Sequence, residues 1–282
     1  MSFTNKICLV TGSSQGIGKS LAEQLAAEGA TVVLNGRNEN RLARAVEDLR
    51  QKGYRVAGLQ GDVSLAVTCQ RLVEDTIRHF GRLDILVNNA GVSVGPGTIE
   101  EIRPEIFERA TTTNYLSAVY MTRCALPHLR ASKGSVLFVS STAGAIGFPE
   151  NAAYCSAKMA LTGFAEALRW ELLDTGVHVG IAYVGYTENE AGKRILSPGG
   201  GTMLKQHGYK IKLVPIPVMT RNLLRMLQKR RFKGHFPFSG RMAVLVHHNL
   251  PWLWRGMLSI FLRRERRRKK KGEAEAYASQ AA

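Results

Sequence analysis

From residue 6 to about 183, short apolar runs rich in β-branched residues alternate with longer segments of helical periodicity. The runs are Ile7–Val10, Thr31–Leu34, Arg55–Leu59, Leu83–Val87, Ser135–Ser140 and Val177–Tyr183. Most are near-continuous in apolar character, as strands covered on both faces are, and the gaps between them are long enough for crossover helices. The first of those helices is expected from about Ile17 to Glu28, where Gly29 ends it. The alternation predicts an α/β fold, a doubly wound parallel sheet with helices on both sides. No repeat at solenoid or propeller spacing is evident.

Beyond Tyr183 the pattern breaks. Residues 187 to 208 are polar and glycine-rich, with Ser197-Pro198-Gly199-Gly200-Gly201 at their centre. A long irregular segment past the last strands is expected to act as a lid over a site, with a plain connector as the alternative. Pro215 and Pro217 then precede a helix expected over residues 218 to 230, and Met242–Val246 reads as the last sheet strand. The expected domain therefore covers residues 1–246, and 247–282 form an extension.

The stretch from Met242 to Leu262 is interrupted by His247-His248-Asn249, Pro251 and Arg255. A membrane-spanning helix needs about 20 mostly apolar residues, so a span is not expected. Trp252, Trp254 and Phe261 stand beside Arg263–Lys271, which holds eight Lys or Arg and one Glu. Much of the formal net charge of +17 is concentrated there. Aromatic residues next to a basic run suit a segment lying on an anionic membrane surface. Packing on a partner subunit or over the cleft is the alternative. A nucleic-acid role is not expected, for want of a recognised binding motif. Residues 272–282 are expected to be disordered.

Cys8, Cys69, Cys124 and Cys155 are scattered, and none of the seven histidines has metal-ligand company, so neither a disulfide framework nor a metal is expected. The chain enters its first strand without the basic, apolar and small-residue regions of a secretory signal. A cytoplasmic location, peripheral on a membrane surface, is the expectation.

Where the first strand turns into the first helix the sequence is Thr11-Gly12-Ser13-Ser14-Gln15-Gly16-Ile17-Gly18. Glycines at such a turn let the backbone approach a pyrophosphate resting on the positive end of the helix. The second strand ends in Asn35-Gly36-Arg37. An acid there would bond the ribose 2′-hydroxyl of NAD; instead Arg37 offers a planar fork to a 2′-phosphate, which points to NADP(H). Tyr154 and Lys158, at i and i+4 on a segment that reads as helix to about Leu173, share one face. An ammonium beside a phenol favours the phenolate, so the Tyr154 pKa is expected to be lowered. Ser141 lies at a strand's C-terminal end, where it would hold a substrate carbonyl. Asn114 interrupts a helical stretch, where a polar side chain would hold water in a proton path.

Taken in order along the chain, these residues resemble the short-chain dehydrogenase/reductase family over about residues 5 to 190. The matching elements are the TGxxxGxG turn at Thr11–Gly18, Asp62-Val63 after the third strand, Asn88-Asn89-Ala90-Gly91 after the fourth, Asn114, Ser141, Tyr154 and Lys158. The resemblance implies a single Rossmann-type domain with Asp62 and Val63 flanking the adenine. It implies that Asn89, Ala90 and Gly91 help to build the cofactor site and that Lys158 touches the nicotinamide ribose. Tyr154, Ser141 and Asn114 would complete the catalytic group, and the protein would be a homo-oligomer. One departure stands out. Family members carry a Pro-Gly pair after the sixth strand, whereas here Val184 precedes Gly185, with Thr187 two residues on.

The activity this implies is NADPH-dependent reduction of an apolar ketone to a secondary alcohol. The run from Phe138 to Lys158 and the tail are similar to 3-ketodihydrosphingosine reductases, which puts a lipid ketone such as 3-ketosphinganine first. A hydroxysteroid or a 3-oxoacyl thioester is the alternative substrate, and a non-catalytic NADP-sensing protein the alternative class.

Overall fold

The computed structural model describes residues 2–190, 192–205, 213–260 and 262–264. Two compact units divide between Pro237 and Phe238. In the first, six strands follow the expected alternation: β1 (Ile7–Val10), β2 (Thr31–Gly36), β3 (Val56–Gln60), β4 (Ile85–Asn88), β5 (Ser135–Ser141) and β6 (His178–Val184). Helices α1 (Gly16–Ala27), α2 (Glu39–Gln51) and α3 (Ala66–Phe80) connect the first four. Between β4 and β5 run α4 (Pro104–Thr111), one π-helical turn (Thr112–Leu116) and α5 (Ser117–Ser132), and α6 (Ala152–Glu171) leads to β6.

The helices form where the sequence supplies both a face and an end. In α2 the Asn38 side chain caps the first turn by accepting from the Arg41 N–H at 2.8 Å, and Leu42, Ala45, Val46 and Leu49 are buried along one stripe. In α3 Cys69, Leu72, Val73 and Thr76 repeat that spacing, and Gly81 closes the helix with φ +76°.

The sheet is parallel, in the order β3-β2-β1-β4-β5-β6 followed by a seventh strand, β9 (Lys233–Phe236), beside β6. Strand order reverses between β1 and β4, so a crevice opens at their C-terminal ends. One face of the sheet packs on α1, α2 and α7 (Ile216–Gln228) through Leu21, Leu25, Leu49, Leu223 and Leu227. The other packs on α3, α5 and α6 through Leu72, Met121, Leu129, Leu161 and Leu168.

Two expectations change. Met242–Val246 is not a strand but lies inside helix α8 (Phe238–Asn249), and the last sheet strand is Lys-Gly-His-Phe at 233–236. A short apolar run fits either periodicity. An edge strand pairs on one side only and needs little apolar sequence to announce it. The segment expected to be irregular also contains an antiparallel ribbon, β7 (Arg194–Leu196) with β8 (Thr202–Leu204), whose turn uses Gly200 and Gly201 at positive φ. Residues 191 and 206–208 of the expected lid lie outside the described residues.

The second unit holds α8 and a further helical stretch over residues 251–260, with the Trp254 ring edge-on to His247 at 5.6 Å. Among the described residues no helix is long and apolar enough to cross a membrane. Phe261, most of the basic run and the tail 272–282 lie outside the described residues.

Candidate active site

The crevice is built first from the turn after β1. Gly12 has φ +61°, and a Cβ there would lie 2.8 Å from the Ala90 Cα. A Cβ at Gly18 would lie 2.4 Å from Asn89 Nδ2 and 2.5 Å from the Gly12 carbonyl oxygen, so the helix start can approach only with glycine present. Gly16 has φ +58° and faces open space. The Asn89 amide donates to the carbonyls of Thr11 at 2.9 Å and Gly12 at 3.0 Å, while the Thr11 hydroxyl accepts from the N–H groups of Asn89 and Ala90, each at 3.0 Å. The two halves of the crevice are thus stitched together. Ser14 packs so closely on Gly36 that a Cβ there would meet it at 2.9 Å, and Ile17 packs on the core below.

At the far end of the crevice Arg37 pairs with Asp62 at 3.5 Å. Burial alone would raise the Asp62 carboxyl, but the Ser64 N–H and the Arg37 guanidinium outweigh it and hold the group below its usual range. Val63 is buried beside it.

The reacting end is formed by β5, the π-helical turn and α6. Ser141 ends β5, accepts from the Ala143 N–H at 3.2 Å, and is hydrogen-bonded to the Tyr154 phenol. Lys158, one turn on, is 4% exposed. Its ammonium donates to the Val139 carbonyl at 3.1 Å and lies 5.9 Å from the centroid of the Tyr154 ring. Asn114 lies in the π-turn, a distortion frequent at functional sites. Its amide is committed to Val92, accepting from the N–H and donating to the carbonyl, both at 3.0 Å. Asn114 thereby clamps the loop after β4 and keeps a second amide N–H and oxygen lone pair beyond these two bonds. Gly91 fits between the two groups: a Cβ there would lie 2.7 Å from Asn114 Oδ1 and 3.6 Å from Lys158 Nζ.

The expected direction of the Tyr154 pKa is corrected. Desolvation raises it, the Ser141 hydrogen bond opposes this, and Cys155 adds to the rise. Lys158 is itself pushed down to about 8 by burial. Sequence spacing shows that two side chains share a face but not how much water each loses. At neutral pH the phenol keeps its proton.

Val184, in the usual proline position, ends β6 and pairs with Ser141 and Phe236. Gly185 is required beyond it, because a Cβ would meet the Pro237 Cδ at 2.9 Å. Thr187 folds its hydroxyl back to the Gly185 carbonyl at 3.1 Å. All the expected site residues thus line the C-terminal edge of the sheet.

Three further residues belong to this edge. Asn35, 1% exposed, donates to the carbonyls of Leu59 and Gly61 and accepts from the Gly12 N–H at 3.4 Å, tying three strand ends together. Its polarity within the apolar β2 run was the available signal. Arg41 donates to Gln15 Oε1 at 2.7 Å, which brings a second guanidinium to the Arg37 end; its place in the first turn of α2 was the signal. Glu190, whose carboxylate accepts from the Gly16 N–H at 2.6 Å, had no local signal at all. That contact tests the fit of a dinucleotide. The start of α1 has no side-chain cap, and its exposed backbone donor already holds an anion where a pyrophosphate would rest.

A family model described as short chain dehydrogenase matches residues 6–198. 11-beta-hydroxysteroid dehydrogenase 1A of Arabidopsis thaliana is 39% identical over 216 residues, covering 76% of this chain and 61% of that protein. The chain thus spans about three fifths of the length of the plant relatives it matches. The crystal structure of a short chain dehydrogenase/reductase from Burkholderia phymatum in complex with NAD has a TM-score of 0.77 at 22% identity, covering 90% of this chain and 96% of that one, which speaks to the fold. An actinorhodin polyketide ketoreductase variant with NADPH has a TM-score of 0.63 at 32% identity, covering 65% of this chain and 71% of that one.

Proposed function

The chain belongs to the short chain dehydrogenase family, and from that premise we propose that it reduces an apolar ketone to a secondary alcohol with NADP(H). The observation that carries the proposal is the pairing of the Tyr154 phenol with Ser141, with the buried Lys158 ammonium one helical turn away. Bound NADPH supplies the hydride. Ser141 hydrogen-bonds the carbonyl oxygen and Tyr154 delivers the proton to it. A phenol that keeps its proton suits this direction, since reduction begins with proton donation. Lys158 holds positive charge beside the phenolate that forms, and Asn114 fixes the Val92 loop against the site. Gly12, Gly16 and Gly18 with Asn89 would hold the pyrophosphate, and Asp62 and Val63 the adenosine. Arg37 and Arg41 would hold the 2′-phosphate, and the NADPH carried by the ketoreductase relative supports the same preference.

The apolar substrate is argued from the surroundings of Tyr154, which with Val92 and Phe107 packs against a buried apolar cluster that includes Val94, Ile102, Ile106 and Leu196. The hydroxysteroid name of the plant relative favours a polycyclic ketone over 3-ketosphinganine. Purified protein is to be assayed for oxidation of NADPH and NADH with an 11-oxosteroid, 3-ketosphinganine and a 3-oxoacyl thioester. Turnover with NADPH in preference to NADH is expected. Preference for NADH would overturn the assignment of Arg37. Full activity in Tyr154→Phe would overturn the mechanism, whereas NADPH binding by the wild type with no turnover of any of these ketones would leave a nucleotide-sensing, non-catalytic protein.

The C-terminal unit presents Trp252, Met257 and Ile260 to solvent beside the start of the basic run, which fits an anionic lipid surface and a peripheral cytoplasmic location. Co-sedimentation with phosphatidylserine vesicles, but not with phosphatidylcholine vesicles, is expected, and Trp252→Asp should abolish it. Self-association is inferred from the family, and light scattering would read it.

A further inference from the structure

The segment after β6 carries a charge into the cofactor crevice. Glu190 is separated from Gly16 by 174 positions in sequence, yet its carboxylate takes up the N–H of the first residue of α1. That helix has no capping side chain and no acid of its own in the first turn. Glu190 therefore supplies the negative charge that a helix N-terminus favours. We propose that Glu190 is a built-in competitor for the pyrophosphate of the dinucleotide, so that cofactor entry must displace the segment that carries Glu190. The proposal rests on the preceding reading of the turn as the cofactor site.

Two lysines already surround the stretch that carries Glu190. The Lys193 N–H donates to the Glu190 carbonyl at 3.2 Å, and the Lys205 N–H donates to the Lys193 carbonyl at 2.8 Å. Two lysines on adjoining strand ends therefore stand next to Glu190. Desolvation lowers Lys193 while the nearby Glu190 charge opposes it. The Lys205 ammonium, which bonds Asn189 Oδ1 at 3.2 Å, is pushed down to about 8 by burial and then by Lys193. The segment is pinned at its two ends, by the Thr187–Val214 bridge and by the Gly95 N–H bond to the Leu196 carbonyl at 2.8 Å. A pyrophosphate and a carboxylate are like charges seeking the same N–H, so the two states exclude each other.

The test uses the full chain and direct binding. NADPH is titrated by calorimetry into wild type, Glu190→Gln and, as a control, Glu188→Gln. If the Glu190-seated form dominates the free protein, Glu190→Gln should bind about threefold to tenfold tighter, because the fraction competent to bind rises. Glu188→Gln should match wild type. Adenosine 2′-monophosphate, which has no pyrophosphate, should bind wild type and Glu190→Gln equally. Amide exchange of residues 193–205 should be faster in Glu190→Gln than in wild type without nucleotide, and equal at saturation. Unchanged or weaker NADPH binding by Glu190→Gln, or equal tightening by Glu188→Gln, would overturn the competitor. A wild-type protein that binds no dinucleotide would instead overturn the cofactor assignment on which it rests.

Discussion

Replacing Lys158 by Met should relieve a buried charge and show that relief as a pH-dependent change in stability. The ammonium falls from an ordinary 10.5 to about 8 through burial alone, and the residue is 4% exposed, so solvent screens little of the effect. The fall from 10.5 to about 8 corresponds to about 3 kcal/mol of penalty on the charged form in the folded chain. The sign follows from proton counts. Below pH 8 both folded and unfolded chains hold the proton and the folded chain bears the full penalty. Between 8 and 10.5 the unfolded chain holds more protons, so wild-type stability rises with pH as the penalty fades. Met removes the penalty at every pH but leaves the Val139 carbonyl without its donor, a cost of about 1–3 kcal/mol. The stability of Lys158→Met relative to wild type should therefore fall by about 2–3 kcal/mol between pH 7 and pH 10. Urea unfolding of both proteins at both pH values, followed by circular dichroism, reads this difference. A relative stability that stays constant between the two would refute the claim that the charge is buried at the site.

The same ammonium predicts that kcat/KM for ketone reduction falls as pH rises through about 8, and Lys158→Arg should move that limb upward. Tyr154→Phe should lower kcat by about 10²–10⁴-fold while calorimetry shows NADPH still bound, since the hydroxyl serves proton transfer. Arg37→Ala or Arg41→Ala should weaken NADPH binding by about 10-fold or more and leave NADH binding unchanged, the loss expected for one charge-assisted bond to a 2′-phosphate. Gly18→Ala places a Cβ 2.4 Å from Asn89 Nδ2 and 2.5 Å from a backbone oxygen. It should cost about 1–3 kcal/mol in denaturant unfolding and impair binding of both dinucleotides.

Much of this was legible in one dimension. Strands β1, β2 and β4 to β6 announced themselves because a parallel strand is buried on both faces and must be apolar throughout. The glycines at 12, 16 and 18 were legible because the turn leaves no room for side chains or demands positive φ. The Tyr154–Lys158 spacing was legible because a helix places i and i+4 together. β9, with Lys233 and His235 in an edge strand, was not, and neither was the helical state of Met242–Val246, since a five-residue apolar run carries no period of its own.

Local physics is therefore written along the chain: the alternation of elements, the tight turn at the start of α1, and the side chains that share the Tyr154 face. Tertiary structure alone decided what depends on neighbours distant in the chain. Packing strips water from Tyr154 and Lys158 and so reverses the expected shift of the phenol. Val92, 22 positions away in sequence, meets the Asn114 amide in two hydrogen bonds. Glu190 reaches Gly16 across 174 positions, and no local pattern encodes that meeting. Periodicity and turn chemistry act over a few residues, whereas desolvation and charge competition belong to whatever the fold brings within a few ångströms.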